Sequence, residues 1–302
     1  MILAVLDFQT FSDAVGLGAI YALMAVGIGL VFGVLRLVNF AYGQLVMAGA
    51  YTLAFTSTWP LAWSIVACVA VVVGLSLAME AVVFRPLRGQ SPAVMLVTTF
   101  AVAFLLQAIA LIVDLRDDTL GEVAASLTSL NAPVTIAGAE VRKITLVSIG
   151  VAATALLLLA LLLAKTTIGL HTRAAASDFR TARLLGVRAN RVIAFSVVLA
   201  GVLAAVVAVM MTVTLPLVTP DFALHDTIIV LVGVVIGGID RLWTATLGGF
   251  TIGFVSGVIN GVLPTDNTVY LPSAVFALVI LVLLLRPAGL FAWGRRAAFE
   301  RV

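Results

Sequence analysis

The chain is a succession of long apolar runs, and that pattern admits few folds. A helix needs about 20 mostly apolar residues to cross roughly 30 Å of hydrocarbon at 1.5 Å per residue. Segments that meet or approach this length are Ala14–Leu35, Val38–Ser57, Leu61–Phe84, Ala93–Val113, Ile144–Ala164, Val192–Leu215, Thr227–Ile239, Leu242–Leu263 and Tyr270–Leu285. Thr227–Ile239 is short and glycine-rich. It reads as a half-span, a re-entrant segment, or part of one bent unit with its neighbour. The expectation is an all-α polytopic protein in a lipid bilayer, a single domain over residues 1–302 with about eight transmembrane helices. Composition agrees: 63 % of residues are apolar and 10 % charged, against about 45–50 % and about 25 % in soluble domains. Disorder requires the opposite balance. A disulfide scaffold requires more than the single Cys68.

Loop charges predict the orientation. If the N-terminus faces outward and the spans alternate, fourteen of the seventeen basic residues fall on the cytoplasmic side. The remaining three are Arg116, Arg142 and Lys143. This satisfies the positive-inside rule, and it reads the basic residues as topology signals rather than a nucleic-acid surface. The C-terminus is then cytoplasmic, and a cell inner-membrane location is expected. The N-terminal MILAVLDFQTFSD has no basic residue and no small-x-small cleavage site, so the first span is expected to stay in the mature protein. Two loops are long: Asp114–Lys143 outside, with an extended piece in NAPVTIAGAEV, and Lys165–Arg191 inside.

Several chemistries find no support in the residues. Neither Lys143 nor Lys165 sits in a phosphate-binding loop, so no ATP site is expected in this chain. His171 and His225 are far apart and have no Cys or carboxylate cluster beside them, so no metal or cofactor is expected. No nucleophile motif of the G-x-S-x-G type is present, and the chain does not read as an enzyme. No ionisable residue is placed near the middle of any span, which argues against coupling to an ion gradient. Glu80, one turn from an inner helix end, is expected to snorkel or to pair beside Arg85.

What remains is small residues and uncharged polar groups. Gly29 and Gly33 are four apart, as are Gly233 and Gly237. Gly249, Gly253, Gly257 and Gly261 form a stripe along one helix face. Such spacing lets helix backbones approach closely; the stripe is either static packing or a surface on which two helices slide. Asn39, Tyr42, Gly43 and Gln44 cluster where the first two spans meet. They are either a solute-facing polar group on the substrate pathway or a capped helix start with interhelical hydrogen bonds. Gln107 and Asn260 are further polar residues in or near spans. In the inner loop, Ala175, Phe179, Ala182 and Gly186 recur on one face of a helix, with Arg173, Ser177 and Arg180 on another. A short amphipathic cytoplasmic helix is predicted, ending at Gly186. It either presses into a partner's groove or lies on the membrane surface.

Three segments carry a resemblance. GLGAIYALMAVGIGLVFGVLRLVNFAYGQLVMAGAY (Gly16–Tyr51) resembles the N-terminal signature of the high-affinity branched-chain amino-acid ABC transporter permeases. RAAASDFRTARLLGV (Arg173–Val187) is similar to their cytoplasmic EAA-type loop, and LVLLLRPAGLF (Leu281–Phe291) to their closing segment. The resemblance implies a permease working by alternating access. It implies as partners a second related permease, two cytoplasmic ABC ATPase subunits that hold the ATP chemistry, and an extracytoplasmic solute-binding protein. The loop helix would be the coupling helix, with Arg173, Ala174, Ala176, Asp178, Ala182, Leu185 and Gly186 at matching positions. Ser177 stands where an acidic residue is common, and Arg183 where a smaller one is. Where many members read NFAHGE, this chain reads Asn39-Phe40-Ala41-Tyr42-Gly43-Gln44. Two ionisable groups are thereby lost, which leaves the solute open among branched-chain amino acids, urea, short amides and other small polar molecules.

Overall fold

The computed structural model describes residues 8–36, 38–114, 131–136, 139–215, 217–238, 241–263 and 270–285. Among these, the order is α1 (Phe8–Leu35), α2 (Tyr42–Phe55), α3 (Leu61–Met79, continued by a π-helical turn Glu80–Phe84), α4 (Pro92–Asp114), β1 (Pro133–Ile136), β2 (Ala139–Arg142), α5 (Lys143–Lys165), α6 (Thr167–Ser177), α7 (Phe179–Leu184), α8 (Ala189–Thr214), α9 (Leu224–Gly237), α10 (Leu242–Val262) and α11 (Leu271–Leu285). The extended piece expected near NAPVTIAGAEV is the antiparallel hairpin β1–β2, with Pro133 opposite Arg142. The rest of that loop, Ile239, and the closing RPAGLF with its arginines lie outside the described residues.

The fold is that of a multi-pass membrane protein. Among the described residues, six helices are long and apolar enough to cross a bilayer: α1, α3 with its π turn, α4, α5, α8 and α10. They fall into two kinds. Helix α1 is the centre, with Ala14, Leu23, Met24 and Ala25 fully buried, and it packs against α5, α8 and α10. Helices α3, α4 and α5 form the periphery, where Val66, Val97, Phe104, Leu105, Leu157 and Leu158 are exposed. In a bilayer those side chains meet lipid, so exposure costs nothing there. One end of the bundle carries Phe8 and the β-hairpin (the hairpin side). The opposite end carries α6, α7 and Arg241 (the arginine side).

Three of the bundle helices among the described residues fall short of a span: α2 and α9 have 14 residues each and α11 has 15. Fourteen residues reach only about 21 Å. The segment expected as a full span at Val38–Ser57 is therefore a half-length helix. Its start is fixed inside the bundle, where Asn39 Oδ1 accepts from the Ala41 amide at 3.1 Å. Helix α2 pairs with the first part of α3, Gly49 lying against Cys68 and Val72. Helix α9 pairs with the first part of α10, Gly233 against Ile252 and Gly237 against Gly248. The two half-helices enter from opposite ends of the bundle, and their N-termini meet: Gly43 lies directly over the Ala223 carbonyl and the Thr227 hydroxyl. A side chain larger than hydrogen at Gly43 has no room there. Irregular backbone at this depth is tolerated because it is buried in protein: Val218, Phe222 and Ala223, just before α9, are all buried.

The loop predicted as one amphipathic helix is two. Helix α6 ends at Ser177, and Asp178 turns the chain with extended backbone angles. Asp178 caps α7 by accepting from the Thr181 amide at 3.1 Å and from its hydroxyl. Asp and Ser prefer such cap positions to helix interiors because their side chains compete for backbone groups. Periodicity alone could not show the break. The expected inner face is present: Ala175 and Ala182 are buried and Phe179 is half-buried. Gly186 ends the unit with φ +87°, a left-handed angle that suits glycine. Glu80 pairs with Arg88 rather than Arg85, and Arg88 also donates to Asn190 Oδ1.

Candidate functional site

A cavity of about 470 Å³ opens in the hairpin half of the bundle, beyond the point where α9 begins. Its position follows from the unequal hairpin of α9 and α10. The first half of α10 is covered by α9; the second half, from Ser256 through Gly257 and Asn260 to Gly261, lines the cavity instead. Helix α1 forms another wall with Gln9, Asp13, Gly16, Leu17, Ile20 and Tyr21. Helix α5 gives Ile144, Thr145 and Ser148; α8 gives Met211 and Thr214; α9 gives His225, Asp226 and Ile229 from its first two turns.

The polar groups form two clusters. Near the mouth, Asp13 on α1 accepts from Arg142 at 2.7 Å and from the Thr145 hydroxyl at 2.9 Å. This joins α1 to the hairpin and to α5. Deeper, the Tyr21 hydroxyl donates to Asp226 Oδ1. Tyr21 is buried near the middle of the 28-residue α1, so the Asp226 carboxylate lies well inside the bundle. Ser148 is buried on the α5 wall and its hydroxyl has no partner.

Asp226 corrects the expectation that no ionisable group approaches mid-span. Counting residues from the surface places it in a loop, because a full span is assumed to follow. Thirteen residues cannot cross the membrane, and that shortness was the available signal: a half-helix begins deep, and so does whatever precedes it.

The other expected residues lie elsewhere. Asn39 and Tyr42 border a small void facing Ser76, Met79 and Val197. The Tyr42 ring is fully buried with its hydroxyl over Gly27, and neither that hydroxyl nor Gln44 Oε1 has a hydrogen-bond partner. With Gly43 they sit at the junction of the two half-helices, away from the cavity lining. The glycine stripe faces α1: Gly249 meets Ala25, Gly253 meets Gly18 Cα (a Cβ there would lie 2.9 Å away), Gly257 meets Ala14 and Gly261 meets Thr10.

At the arginine side, Arg173, Ala174, Ser177, Asp178, Leu185 and Gly186 are exposed, and Ala176 is half-buried. Leu184 and Leu185 are 83 % and 81 % exposed. Ala176 is the point of attachment to the core. Its carbonyl accepts from the Arg36 guanidinium at 2.7 Å, and its methyl faces Gly33 of α1.

A membrane bundle with a half-buried polar cavity is compatible with many transporters; the comparison with known proteins narrows it. Residues 10–285 match the family described as the permease component of the branched-chain amino acid transport system. The chain belongs to this family. Among curated relatives, the LivH permease proteins of the high-affinity branched-chain amino acid transport system from Salmonella typhimurium and Escherichia coli K12 are each 27 % identical. The BraD permease protein of Pseudomonas aeruginosa is 28 % identical. Each alignment covers 93 % of this chain and 94 % of the relative. No solved structure matches. The chain is thus a transport permease.

Proposed function

We propose that this permease is the membrane subunit of an ATP-driven importer. It passes a branched-chain amino acid or a related small polar solute across the cell membrane by alternating access. The hairpin side faces outward, where a solute-binding protein delivers cargo to the cavity. The arginine side is cytoplasmic, and α6–α7 docks into the cleft of an ABC ATPase. Two such ATPases and a second related permease complete the assembly, and ATP hydrolysis occurs in those partners. The observation that carries this reading is that one helix, α1, lines the cavity with its first half and holds α6 through Arg36 and Gly33 with its last turn. A push on α6 therefore reaches the cavity wall through a rigid element. In the closed arrangement the half-helix junction at Gly43 blocks the way from the cavity to the arginine side; separating α2 from α9 opens it.

The test is reconstitution. The chain alone in liposomes is inert, whereas the complex with its ATPases accumulates solute when ATP is supplied. Leu185→Glu changes an exposed side chain, so insertion and melting stay as in the wild type while ATPase co-purification and uptake are lost. The half-buried Asp226, bonded to Tyr21 inside the bundle, favours one competing reading, an ion-coupled carrier. Uptake by the lone chain under an ion gradient, without ATP, decides for that reading and against this one.

A further inference from the structure

We propose that the solute's route from the cavity to the arginine side runs between α1, α2, α3 and α8, and that Tyr42 is the gate on it. The proposal rests on the permease reading and assigns a path and a gating residue within it. The order of features along α1 carries the argument. Tyr21 lines the deep part of the cavity. Six residues further, about 9 Å at 1.5 Å per residue, Gly27 lies under the Tyr42 hydroxyl, so close that a Cβ there would overlap it. One turn beyond that, Val31 borders a separate void of about 10 Å³, room for on the order of one water molecule. The same void is bounded by Asn39 and Tyr42 at the start of α2, by Met79 and Phe84 at the end of α3, and by Val197 of α8. Gly43, next to Tyr42, lies against Ala223 and Thr227, and Thr227 adjoins the cavity-lining Asp226. Cavity, tyrosine and void therefore follow one another toward the arginine side, with the Tyr42 ring as the partition.

A plug made only to seal needs no hydroxyl. Tyr42 is fully buried and its hydroxyl has no hydrogen-bond partner; the nearby Gln44 Oε1, also buried, has none either. Such groups weigh against the arrangement that buries them. They gain partners when α2 moves away from α1 and water enters. The closed state is thereby held by packing and opposed by its own polar groups, so a modest differential push shifts it. On the far side, Phe84 is buried at the end of the π-helical turn, and such turns recur at functional sites inside helices. Phe84 closes the void toward the arginine side as Tyr42 closes it toward the cavity. Two aromatic plugs with a space between them suit alternating access, in which one opens while the other stays shut.

The experiment maps access to the void in the full complex in liposomes. Cys68 is replaced by alanine, and either Val197→Cys or the buried control Ala204→Cys is introduced on α8. Labelling by 2-aminoethyl methanethiosulfonate is followed through the intact mass of this chain, at rest and during ATP-driven uptake. Val197→Cys reacts at least tenfold faster during uptake than at rest, while Ala204→Cys stays unreactive in both. Tyr42→Ala makes Val197→Cys reactive at rest. Tyr42→Phe keeps the ring and removes an atom that bonds nothing: melting temperature holds or rises, and uptake and labelling during uptake fall several-fold. A ring that only fills space gives no change in Tyr42→Phe, so unchanged uptake in that variant overturns the gate. A well-folded Tyr42→Ala that leaves Val197→Cys protected at rest does the same. Val197→Cys unlabelled while uptake runs overturns the route, whether or not Tyr42→Ala folds, and so does equal labelling of Ala204→Cys. Failure of the ATP-driven reading shows separately, as wild-type uptake that needs no ATP.

Discussion

The two halves of α1 live in different chemistry. Its first half faces a cavity and carries Asp13 and Tyr21, each bonded to a charged group on another element. Its second half is dry. Gly29 lies against Leu242 and Ala245, Gly27 under Tyr42, and Gly33 near Ala176. Just past its end the Arg36 guanidinium donates to the Ala176 carbonyl. On the proposed mechanism the polar half binds and releases, its groups exchanging partners with solute and water. The dry half transmits, because close-packed surfaces have few alternative arrangements. A transporter needs both in one rigid piece.

The largest expected effect comes from the seam that holds α1 in place. Gly253→Leu drives a branched side chain into the Gly18 backbone and the Tyr21 side chain, where even a Cβ would lie within 3 Å. Neither backbone can yield without separating α1 from α10. The variant should fail to accumulate as a monodisperse protein in detergent chromatography. Normal yield with normal uptake would mean that the seam opens freely, which favours the sliding version of the glycine stripe.

That seam was half legible in the sequence. The four-residue spacing of Gly249, Gly253, Gly257 and Gly261 marks a close helix contact but does not name the partner. The partner is α1, more than 200 residues earlier, and periodicity has no term for long-range pairing. The helical class, the spans and the α6–α7 unit were likewise readable, since burial in lipid imposes length and apolarity on every crossing. The half-helices were not fully readable. Val38–Ser57 is apolar enough for a span, and its true start at Tyr42 depends on where Asn39 finds a backbone amide. The cavity was invisible for the same reason: it exists because α9 is shorter than α10. Its residues, Asp13, Tyr21, Ser148 and Asp226, come from three separate helices, and none of them belongs to a local motif.

Arg36 tests the dry half next. It adopts φ +54°, an angle that costs a non-glycine residue of order 1 kcal/mol or more. Arg36→Gly relieves that cost and removes the guanidinium from Ala176. The two effects separate cleanly. Melting temperature should hold or rise, while solute uptake per ATP hydrolysed should fall several-fold as α6 loses its hold on α1. Loss of uptake together with a lower melting temperature would make Arg36 a merely structural residue.

The polar half should be softer. Asp13→Asn removes the ion pair with Arg142, whose partners are 25 % and 40 % exposed. Solvent screening limits its worth to about 1 kcal/mol or less. The expected change is in exchange at the mouth rather than in stability: hydrogen exchange of the β2 amides speeds up, and uptake changes by less than threefold. A collapse of uptake comparable to that of Arg36→Gly would remove the distinction between the halves.

Thr145→Val is the smallest and the most discriminating change. The residue is 5 % exposed, its hydroxyl donates to Asp13, and its methyl packs against Gly16. Valine keeps that shape and removes the donor. Asp13 keeps Arg142, so no buried charge is left bare, and the expected loss is that of one hydrogen bond to a partly solvated carboxylate, about 1 kcal/mol. Thr145→Ser does the converse, keeping the donor and removing the methyl against Gly16. If valine melts below serine, hydrogen bonding governs the mouth. If serine melts below valine, packing governs it, and the hairpin half is more like the dry half than its polar lining suggests.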